Sequence, residues 1–477
     1  MRYEDLLKTK EAKEVTLVKL LINAGGTMDA KAMYQQLHLS KKSLENYIEE
    51  TAQTLQDFAP ACQLTYNGVT LTFQKPPELS LKALEQKIYL SSSKYQILLT
   101  LFKKQELNLI VLAQDLSMSE SSISRKIKEL NVSLQEFSLR IWQGKLCGDE
   151  SQIRYFYFNL FWGLEQGFDQ ITPSEQHIIQ DLTRGLQLTL TETTRRKLLL
   201  WLRITKKRIN NPQINFGAFA QQFQPFQKEP LYQKLRPLMQ RINSFYALEL
   251  RPEETMLHFA FFQSMGILEQ TDFVQHQATT GAKTLVDHCN ERLFHQIAQF
   301  YDQPHIEPDL QTKCLYYLTQ MHMKLYFFQG DFEIYNLKIV DQLDHNLYLN
   351  GIKQHAQYLS AIMQSELQLQ TSSSVQKMTL VRYASIIMIV DLAIRHTIRL
   401  GVALNLEGAF QEEAAQILAL QLKNLNGVQV ETFNAKHQYD LVITNTQLQL
   451  DAPIYQITEV NSAYDLSEVK RLIHKLA

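Results

Sequence analysis

The chain has 477 residues, of which 45% are hydrophobic and 20% are charged, and its formal net charge is −1. This length exceeds one hydrophobic core, so about three to five domains are expected. The near-zero net charge excludes a protein that is basic throughout, so any contact with nucleic acid must come from a local basic patch. The four cysteines lie far apart without a C-x-x-C pair, which fits free thiols better than disulfides or a zinc site.

The sequence carries no sign of export or of membrane insertion. The N-terminal stretch MRYEDLLKTKEAKE is charged and lacks the apolar core of a signal peptide. The most apolar run, residues 384–394, is too short to span a bilayer. We therefore expect a soluble, cytoplasmic protein.

Residues 1–75 are predicted to form a winged helix-turn-helix. The segments EVTLVKLLINAGG, MDAKAMYQQLH and KKSLENYIEETAQTLQ each show helical spacing of apolar residues, and Ser40 is placed to cap the third helix. The segment LTYNGVTLTF alternates apolar and polar residues around Asn67-Gly68, which predicts a tight hairpin with positive φ at both central positions. Three helices followed by a hairpin are typical of this DNA-binding unit.

The same pattern recurs in residues 76–150. KYQILLTLF, LNLIVLAQDL and ESSISRKIKELNVSLQEF predict three helices, and LRIWQGKLCG predicts a second two-stranded wing around Gln143-Gly144. The two turns, HLSKKSLENYI and SMSESSISRKI, align with Ser40 on Ser119 and Leu44 on Ile123. A match of helices, turn and wing in one register is more specific than any one of these features.

The candidate DNA-contacting residues lie at the start of the third helix of each unit. They are Lys41, Lys42, Ser43, Asn46, Tyr47, Ser119, Ser121, Ser122, Ser124, Arg125, Lys126 and Lys128. Short hydroxyls bind bases and phosphates, and Arg125 can form a bidentate contact with guanine. Glu45, Glu49 and Glu50 lie on the third helix of the first winged helix, among its candidate residues. We therefore expect the second winged helix to supply most of the DNA affinity. The alternative is that both helices present ordinary solvated faces.

Residues 151–280 and 281–395 are predicted to form two helical bundles joined near residues 277–283. Tandem winged helices followed by two such bundles resemble the Mga-like virulence regulators of Gram-positive bacteria. The resemblance implies PRD-like bundles, in which a histidine seven positions before an arginine is phosphorylated by the sugar phosphotransferase system. Here Trp201 precedes Arg208 at that spacing. In the second bundle His322 and His355 are the candidate phosphorylation sites, although Gln329 stands where His322 would need arginine, and a structural histidine is the alternative reading.

Residues 396–477 change to alternating strands and helices, which predicts a small parallel α/β sheet. This part resembles the B component of the sugar phosphotransferase system and is therefore described as EIIB-like. In that enzyme the loop after the first strand carries a phosphorylatable cysteine, whereas here the loop reads LNLEGAF, with Glu407 and no cysteine. The family layout instead implies a module for dimerisation or sensing.

The fold predicted from the sequence is thus multidomain and mainly α, with two winged helix-turn-helix domains, two PRD-like bundles and a C-terminal EIIB-like α/β domain. The predicted function is a DNA-binding transcription regulator, with activation as the expected direction. Its expected partners are double-stranded DNA, a second copy bound through the C-terminal domain, and a phosphocarrier protein of the phosphotransferase system. The sequence shows no G-x-S-x-G, P-loop or H-E-x-x-H motif, so neither enzymatic activity nor a cofactor or metal is expected. The alternatives are an RNA-binding antiterminator and a phosphotransferase component.

Overall fold

The computed structural model describes most of the chain, in two compact units. The residues outside this description are 59, 166–169, 212–213, 246–250, 278–282, 302–305, 333–346, 370, 395–397, 423–427, 461 and 477. The first unit comprises Met1–Arg292, Leu315–Leu337 and Ile362–Thr379, and the second comprises Leu293–Cys314, Lys338–Ala361 and Leu380–Ala477. The predicted joint at 277–283 and the predicted boundary at 395 fall largely outside the described residues, and the division into five domains stays a prediction.

The first winged helix has the predicted three helices and one strand more than predicted. Its elements are α1 (Thr9–Asn23), β1 (Thr27–Asp29), α2 (Ala30–Gln36), α3 (Lys41–Phe58), β2 (Gln63–Tyr66) and β3 (Thr70–Gln74). The helix α1 stops where predicted, because Gly26 has a φ of 90° and donates its N–H to the carbonyl of Leu21 at 2.8 Å. The unpredicted β1 pairs antiparallel with β3, so the sheet order is β1-β3-β2.

The turn of the first hairpin differs from the prediction. Tyr66 pairs with Leu71, so four residues close the loop, and of the Asn67-Gly68 pair only Gly68 has a positive φ, at 91°. The side-chain Oδ1 of Asn67 accepts hydrogen bonds from the N–H groups of Val69 (3.0 Å) and Thr70 (2.7 Å). This Asx-type turn makes a second positive φ unnecessary. The hairpin was predicted correctly, and its turn type was wrong.

The second winged helix has the predicted three helices and two-stranded wing, and one helix more than predicted, Leu81–Ser91. Its elements are α4 (Leu81–Ser91), α5 (Ser93–Lys104), α6 (Leu109–Asp115), α7 (Glu120–Leu134), β4 (Arg140–Trp142) and β5 (Lys145–Cys147). Trp142 pairs with Lys145, leaving a two-residue turn in which Gln143 (φ 47°) and Gly144 (φ 75°) are both left-handed. This is the primed turn that matches the twist of the two strands.

The middle of the chain is helical. The helices are α8 (Glu150–Gly163), α9 (Pro173–Leu186), α10 (Glu192–Arg208), α11 (Gly217–Gln222), α12 (Pro230–Phe245), α13 (Pro252–Ser264), α14 (Gln270–Gln277), α15 (Leu285–Phe300), α16 (Pro308–Phe327), α17 (Leu347–Glu366) and α18 (Ser373–Ile394). Residues 150–161 of α8 are all buried, and they include the polar side chains of Glu150, Gln152, Arg154 and Asn159 beside its aromatic ones. The PRD-like character of these helices stays a prediction.

The C-terminal part is the small parallel α/β sheet that the sequence predicts. Its strands are β6 (Ile398–Ala403), β7 (Val428–Thr432), β8 (Leu441–Thr444) and β9 (Ile454–Gln456), in the order β7-β6-β8-β9 and all parallel. The helices α19 (Gly408–Leu422) and α20 (Ala463–Leu476) complete it. Leu400, Leu418 and Val469 bring β6 and both helices into one apolar core. Its EIIB-like character stays a prediction.

None of the helices in the described residues combines the length and the apolar character needed to cross a bilayer.

Candidate nucleic-acid interface

The helix-turn-helix geometry is the same in both winged helices, residue for residue. The second helix is capped by Asp29 in the first winged helix and by Asn108 in the second winged helix. Each side chain accepts hydrogen bonds from two backbone N–H groups. The turn then places His38 and Ser117 at the same left-handed φ of 51°. These pairs share the spacing of Ser40 and Ser119, so the alignment predicted from the sequence is confirmed for this motif.

Both third helices are anchored at the aligned apolar position. Leu44 is 1% exposed and Ile123 is fully buried. The hydroxyls of Ser40 and Ser119 accept the backbone N–H of Ser43 (3.2 Å) and Ser122 (3.3 Å), which confirms Ser40 as the predicted cap. The two serine caps therefore fix the start of each helix.

The outer face of α7 carries positive charge and hydroxyl groups. Ser121, Arg125 and Lys128 are exposed, and Ser122 and Ser124 are half-buried. Within the described residues neither Arg125 nor Lys128 takes part in an ion pair. Two uncompensated cations one helical turn apart, beside short hydroxyls, are suited to phosphate and base contacts in the major groove.

Lys126 does not belong to that face. It is 8% exposed, and its Nζ lies 3.2 Å from Oε2 of Glu129, which Lys94 also contacts at 3.0 Å. Burial opposes ionisation of Glu129, but the hydrogen bonds from Lys94 and Lys126 outweigh it and lower the pKa of this carboxyl. Position 126 follows Ile123 by three residues and so faces inward. Lys126 therefore lies off the exposed face, and its contact with DNA stays a prediction.

The corresponding face of α3 is electrostatically mixed. Lys41, Lys42 and Asn46 are exposed, whereas Ser43 is half-buried and its hydroxyl is 2.8 Å from that of Ser40. Tyr47 is half-buried, and the Nζ of Lys13 lies over its ring, 5.6 Å from the ring centroid.

Carboxylates share this face of α3. Glu49 is exposed and Glu45 is half-buried, while Glu50 forms an ion pair with Lys10 at 2.9 Å. These side chains repel phosphate groups. The ranking of the two helices by DNA affinity stays a prediction.

The wing of the second winged helix adds two candidate DNA-contacting residues that were not predicted from the sequence. Arg140 and Trp142 both point outward from β4, because the buried Ile141 alternates with them. The guanidinium carbon of Arg140 lies 5.5 Å from the indole centroid, and Trp142 remains 57% exposed. A cation held against an exposed aromatic ring is suited to the sugar–phosphate backbone. The period-two arrangement of Arg, Ile and Trp in the sequence was the signal for it.

The candidate phosphorylation sites, His322 and His355, each contact a side chain of a neighbouring helix. His322 is fully buried, its Nδ1 hydrogen-bonds to Oδ1 of Asn290, and burial lowers its pKa to about 3. His355 is half-buried and its ring stacks on Phe300 with centroids 4.2 Å apart, and burial lowers its pKa as well. A phosphocarrier protein cannot reach His322 in this conformation. Phosphorylation at either histidine stays a prediction, and at His322 it requires α16 to move.

A buried tryptophan occupies the position seven residues before Arg208, where the resemblance to PRD-like bundles implies histidine. Trp201 donates its Nε1–H to Nδ1 of His258 at 2.9 Å, and burial followed by the nearby Arg154 lowers the pKa of His258 to about 3. Both rings are inside the first unit. His258 is thus a neutral core histidine.

A buried ionic network joins α8, α10 and α13. Arg208 contacts Glu150 at 2.7 Å, Arg154 contacts Glu150 at 2.8 Å, and Arg154 also forms a fork with Glu254 at 2.5 and 2.7 Å. Two arginines and two glutamates balance in charge, as burial requires. Arg208 therefore has a structural partner in Glu150, which accounts for its presence without a histidine seven residues earlier.

Comparison with known proteins identifies one part of the chain. Residues 77–161 match the family model described as the Mga helix-turn-helix domain. This range covers the second winged helix and most of α8, and it confirms the resemblance to Mga-like regulators. No curated protein matches the chain. The described residues contain no group of three or more His, Cys, Asp or Glu side chains that could hold a metal ion.

Proposed function

We propose, from the premise that the chain carries a helix-turn-helix domain of the Mga family, that it binds duplex DNA mainly through α7 and the second wing and activates transcription. The domain match supports a DNA-binding transcription regulator. The single observation that carries the finer proposal is the outward pair Arg125 and Lys128, which no carboxylate neutralises within the described residues. Ser121, Ser122 and Ser124 surround these cations and supply hydrogen-bonding groups for base edges.

The experiment that tests this proposal is a competition between duplex DNA and RNA hairpins. The full chain is bound to fluorescent genomic fragments from its own source, and unlabelled DNA or RNA is added at fixed salt. We expect the duplex to compete and the RNA hairpin to compete far more weakly. Stronger competition by RNA would favour an antiterminator and overturn the proposal, and a promoter-fusion assay then tests activation.

The regulatory input is proposed to come from the phosphotransferase system. A phosphate on histidine adds up to about two negative charges and repacks a helix interface. We expect phosphohistidine at His355, which is half-buried, before His322, which is enclosed. Incubation with the phosphocarrier components and mass spectrometry under mild alkali detects it. Absence of phosphohistidine in both would leave only the structural roles.

The C-terminal domain is proposed to form the contact between two copies. Its helix α19 leaves Phe410 57% and Leu420 70% exposed, and Leu406 just before the helix is 44% exposed. Exposed large apolar side chains of this kind can be covered by a second copy. A chain ending at residue 395 is expected to run as a monomer in light scattering. An unchanged oligomeric mass would reject this role, and labelling of the chain by a phosphate donor would revive the enzyme alternative.

A further inference from the structure

A cavity of about 170 Å³ lies in the first unit among α12, α13, α14, α15 and α16. This volume is below that of sites for drug-sized ligands, about 300–1,000 Å³, and suits a small metabolite. One wall is apolar and includes Leu231, Phe273 and Leu315. The polar part of the lining includes Glu229 and Asp287. A cavity with one apolar wall and a few polar groups is typical of a small-molecule site.

The charge of the cavity is negative. Lys283 lies at its edge, but its Nζ is 2.5 Å from Oε1 of Glu291, so these two charges compensate each other. Burial lowers the pKa of His276, which therefore adds no positive charge near neutral pH. Burial, and then the neighbouring charge of Asp287, raises the pKa of Glu229 to about 7. No ion pair to Glu229 or Asp287 is present within the described residues.

Several polar residues of the cavity lining are already ordered by hydrogen bonds. Asn290 and Thr319 are each 2% exposed and line the cavity, and the amide of Asn290 donates to the hydroxyl of Thr319 at 2.8 Å. Asp287 is held by the N–H of Thr284 at 2.8 Å and by its hydroxyl at 2.7 Å. The polar part of the lining is therefore pre-organised, which lowers the entropic cost of binding.

We infer that this cavity binds a small organic amine, with its ammonium group between Glu229 and Asp287 and its hydrocarbon part against the apolar wall. A metal ion is disfavoured because hard divalent cations require six or more oxygen ligands, and no metal-competent cluster exists in the described residues. An anion would be repelled by Asp287 and by the ionised form of Glu229. A sugar would leave its hydroxyls unpaired against Leu231, Phe273 and Leu315.

The occupant of this cavity would contact a helix that leads to the DNA-binding unit. Leu315 and Thr319 of α16 line the cavity, and α16 ends two residues before a joint formed by residues 329–332. In this joint the hydroxyl of Ser138 bonds to Oε1 of Gln329, and the rings of Phe137 and Phe332 are 5.4 Å apart. Phe137 and Ser138 come three and four residues after the end of α7. Movement of α16 would therefore reach the end of the proposed recognition helix.

Three probes of the same shape test the inference. Cyclohexylamine, cyclohexanol and cyclohexanecarboxylate are titrated into the full chain by calorimetry at neutral pH. We expect saturable binding of the amine, at least tenfold weaker binding of the alcohol, and none of the carboxylate. Absence of saturable amine binding, or equal binding of amine and alcohol, would overturn the inference.

Variants locate the site. Glu229→Gln and Asp287→Asn are each expected to weaken amine binding about tenfold, and Asp287→Asn keeps an oxygen that can accept from Thr284. Glu78→Gln, an exposed loop carboxylate, is the matched control and is expected to bind as the parent chain does. If one variant does not fold, as judged by circular dichroism, the other decides. Unchanged binding in a folded variant would place the amine elsewhere and overturn the inference.

The link to DNA rests on the proposed function and is measured separately. DNA affinity of the full chain is compared with and without saturating cyclohexylamine, with cyclohexanol as the control. A change of threefold or more supports the route through α16. Amine binding without DNA binding would reject the proposed function and leave the cavity assignment standing. Amine binding without a change in DNA affinity would overturn the route alone.

Discussion

The two winged helices share their backbone but not their surface. Aligned residues cap the helices, turn the chain at His38 and Ser117, and anchor the third helix at Leu44 and Ile123. On the exposed face of its third helix, the second winged helix presents cations and hydroxyls. The first winged helix has lysines interspersed with glutamates on the corresponding face. The comparison teaches that a few capping, turn and core positions specify this unit. The outward positions between them are free to diverge in charge.

The wings diverge as well, and for a backbone reason. In the first winged helix a full strand, β1, pairs with β3 through three residues. In the second winged helix a single hydrogen bond takes the place of this strand pairing, from the N–H of Leu107 to the carbonyl of Gly144 at 2.7 Å. The second wing therefore depends on a tighter turn and on a close contact at Gly144.

The largest expected effect separates the two recognition helices. The double change Arg125→Ala and Lys128→Ala removes one candidate base contact and one phosphate contact, so we expect about 100-fold weaker binding to duplex DNA. The double change Lys41→Ala and Lys42→Ala is expected to cost about threefold, because nearby glutamates already weaken phosphate contacts there. Gel shifts at one salt concentration give both values.

Lys126→Ala is the matched control for this experiment. Because the ammonium of Lys126 pairs with Glu129 inside the second winged helix, we expect Lys126→Ala to reduce the stability of the fold. We do not expect the loss of DNA affinity predicted for the double change at Arg125 and Lys128. Equal losses of affinity in both double variants would contradict the division of labour between the two helices.

The next effect concerns the two turns. A Cβ at Gly144 would lie 2.8 Å from the carbonyl oxygen of Leu107, whereas nothing lies within 4 Å of a Cβ at Gly68. Both have positive φ, so alanine costs about 1 kcal/mol at either site, and the clash raises the cost to about 2 kcal/mol or more at Gly144. Amide hydrogen exchange should therefore accelerate about 30-fold in β4–β5 for Gly144→Ala and about fivefold in β2–β3 for Gly68→Ala. Similar acceleration in both would mean that Leu107 moves aside.

Much of the fold could be predicted because its signals are local. Helix caps such as Ser40 and Ser119, and the Gly25-Gly26 stop, act within one turn of the chain. The strand β1 could not be predicted, since three residues carry little signal and their pairing with β3 depends on a contact more than 40 residues away. The turn at Asn67 was misjudged because its side chain, not its backbone, closes the loop.

The site was predictable to the level of a helix face and no finer. Helical spacing places Arg125 and Lys128 outward and Lys126 beside Glu129, but it does not reveal that Lys94, on another helix, contacts the same carboxylate. His322 and His258 look alike in the sequence. Only the packing of α15 and α16 encloses His322 beside Asn290, and only the tertiary fold brings Trp201 to His258. Such distant partners carry no periodic signal in the chain.

The smallest effect tests whether charge alone explains the weaker first unit. Glu45→Gln with Glu49→Gln removes two carboxylates beside Lys41 and Lys42 while keeping the side-chain volume. If repulsion of phosphate limits the first helix, DNA affinity should rise about two- to threefold at low salt and return to the parent value at high salt, since exposed charges are screened. Glu192→Gln with Glu307→Gln, both exposed and outside the winged helices and α19, is the matched control and should change nothing. An unchanged affinity in the first pair would mean that α3 does not approach the duplex at all, and its lysines would then be ordinary solvated side chains.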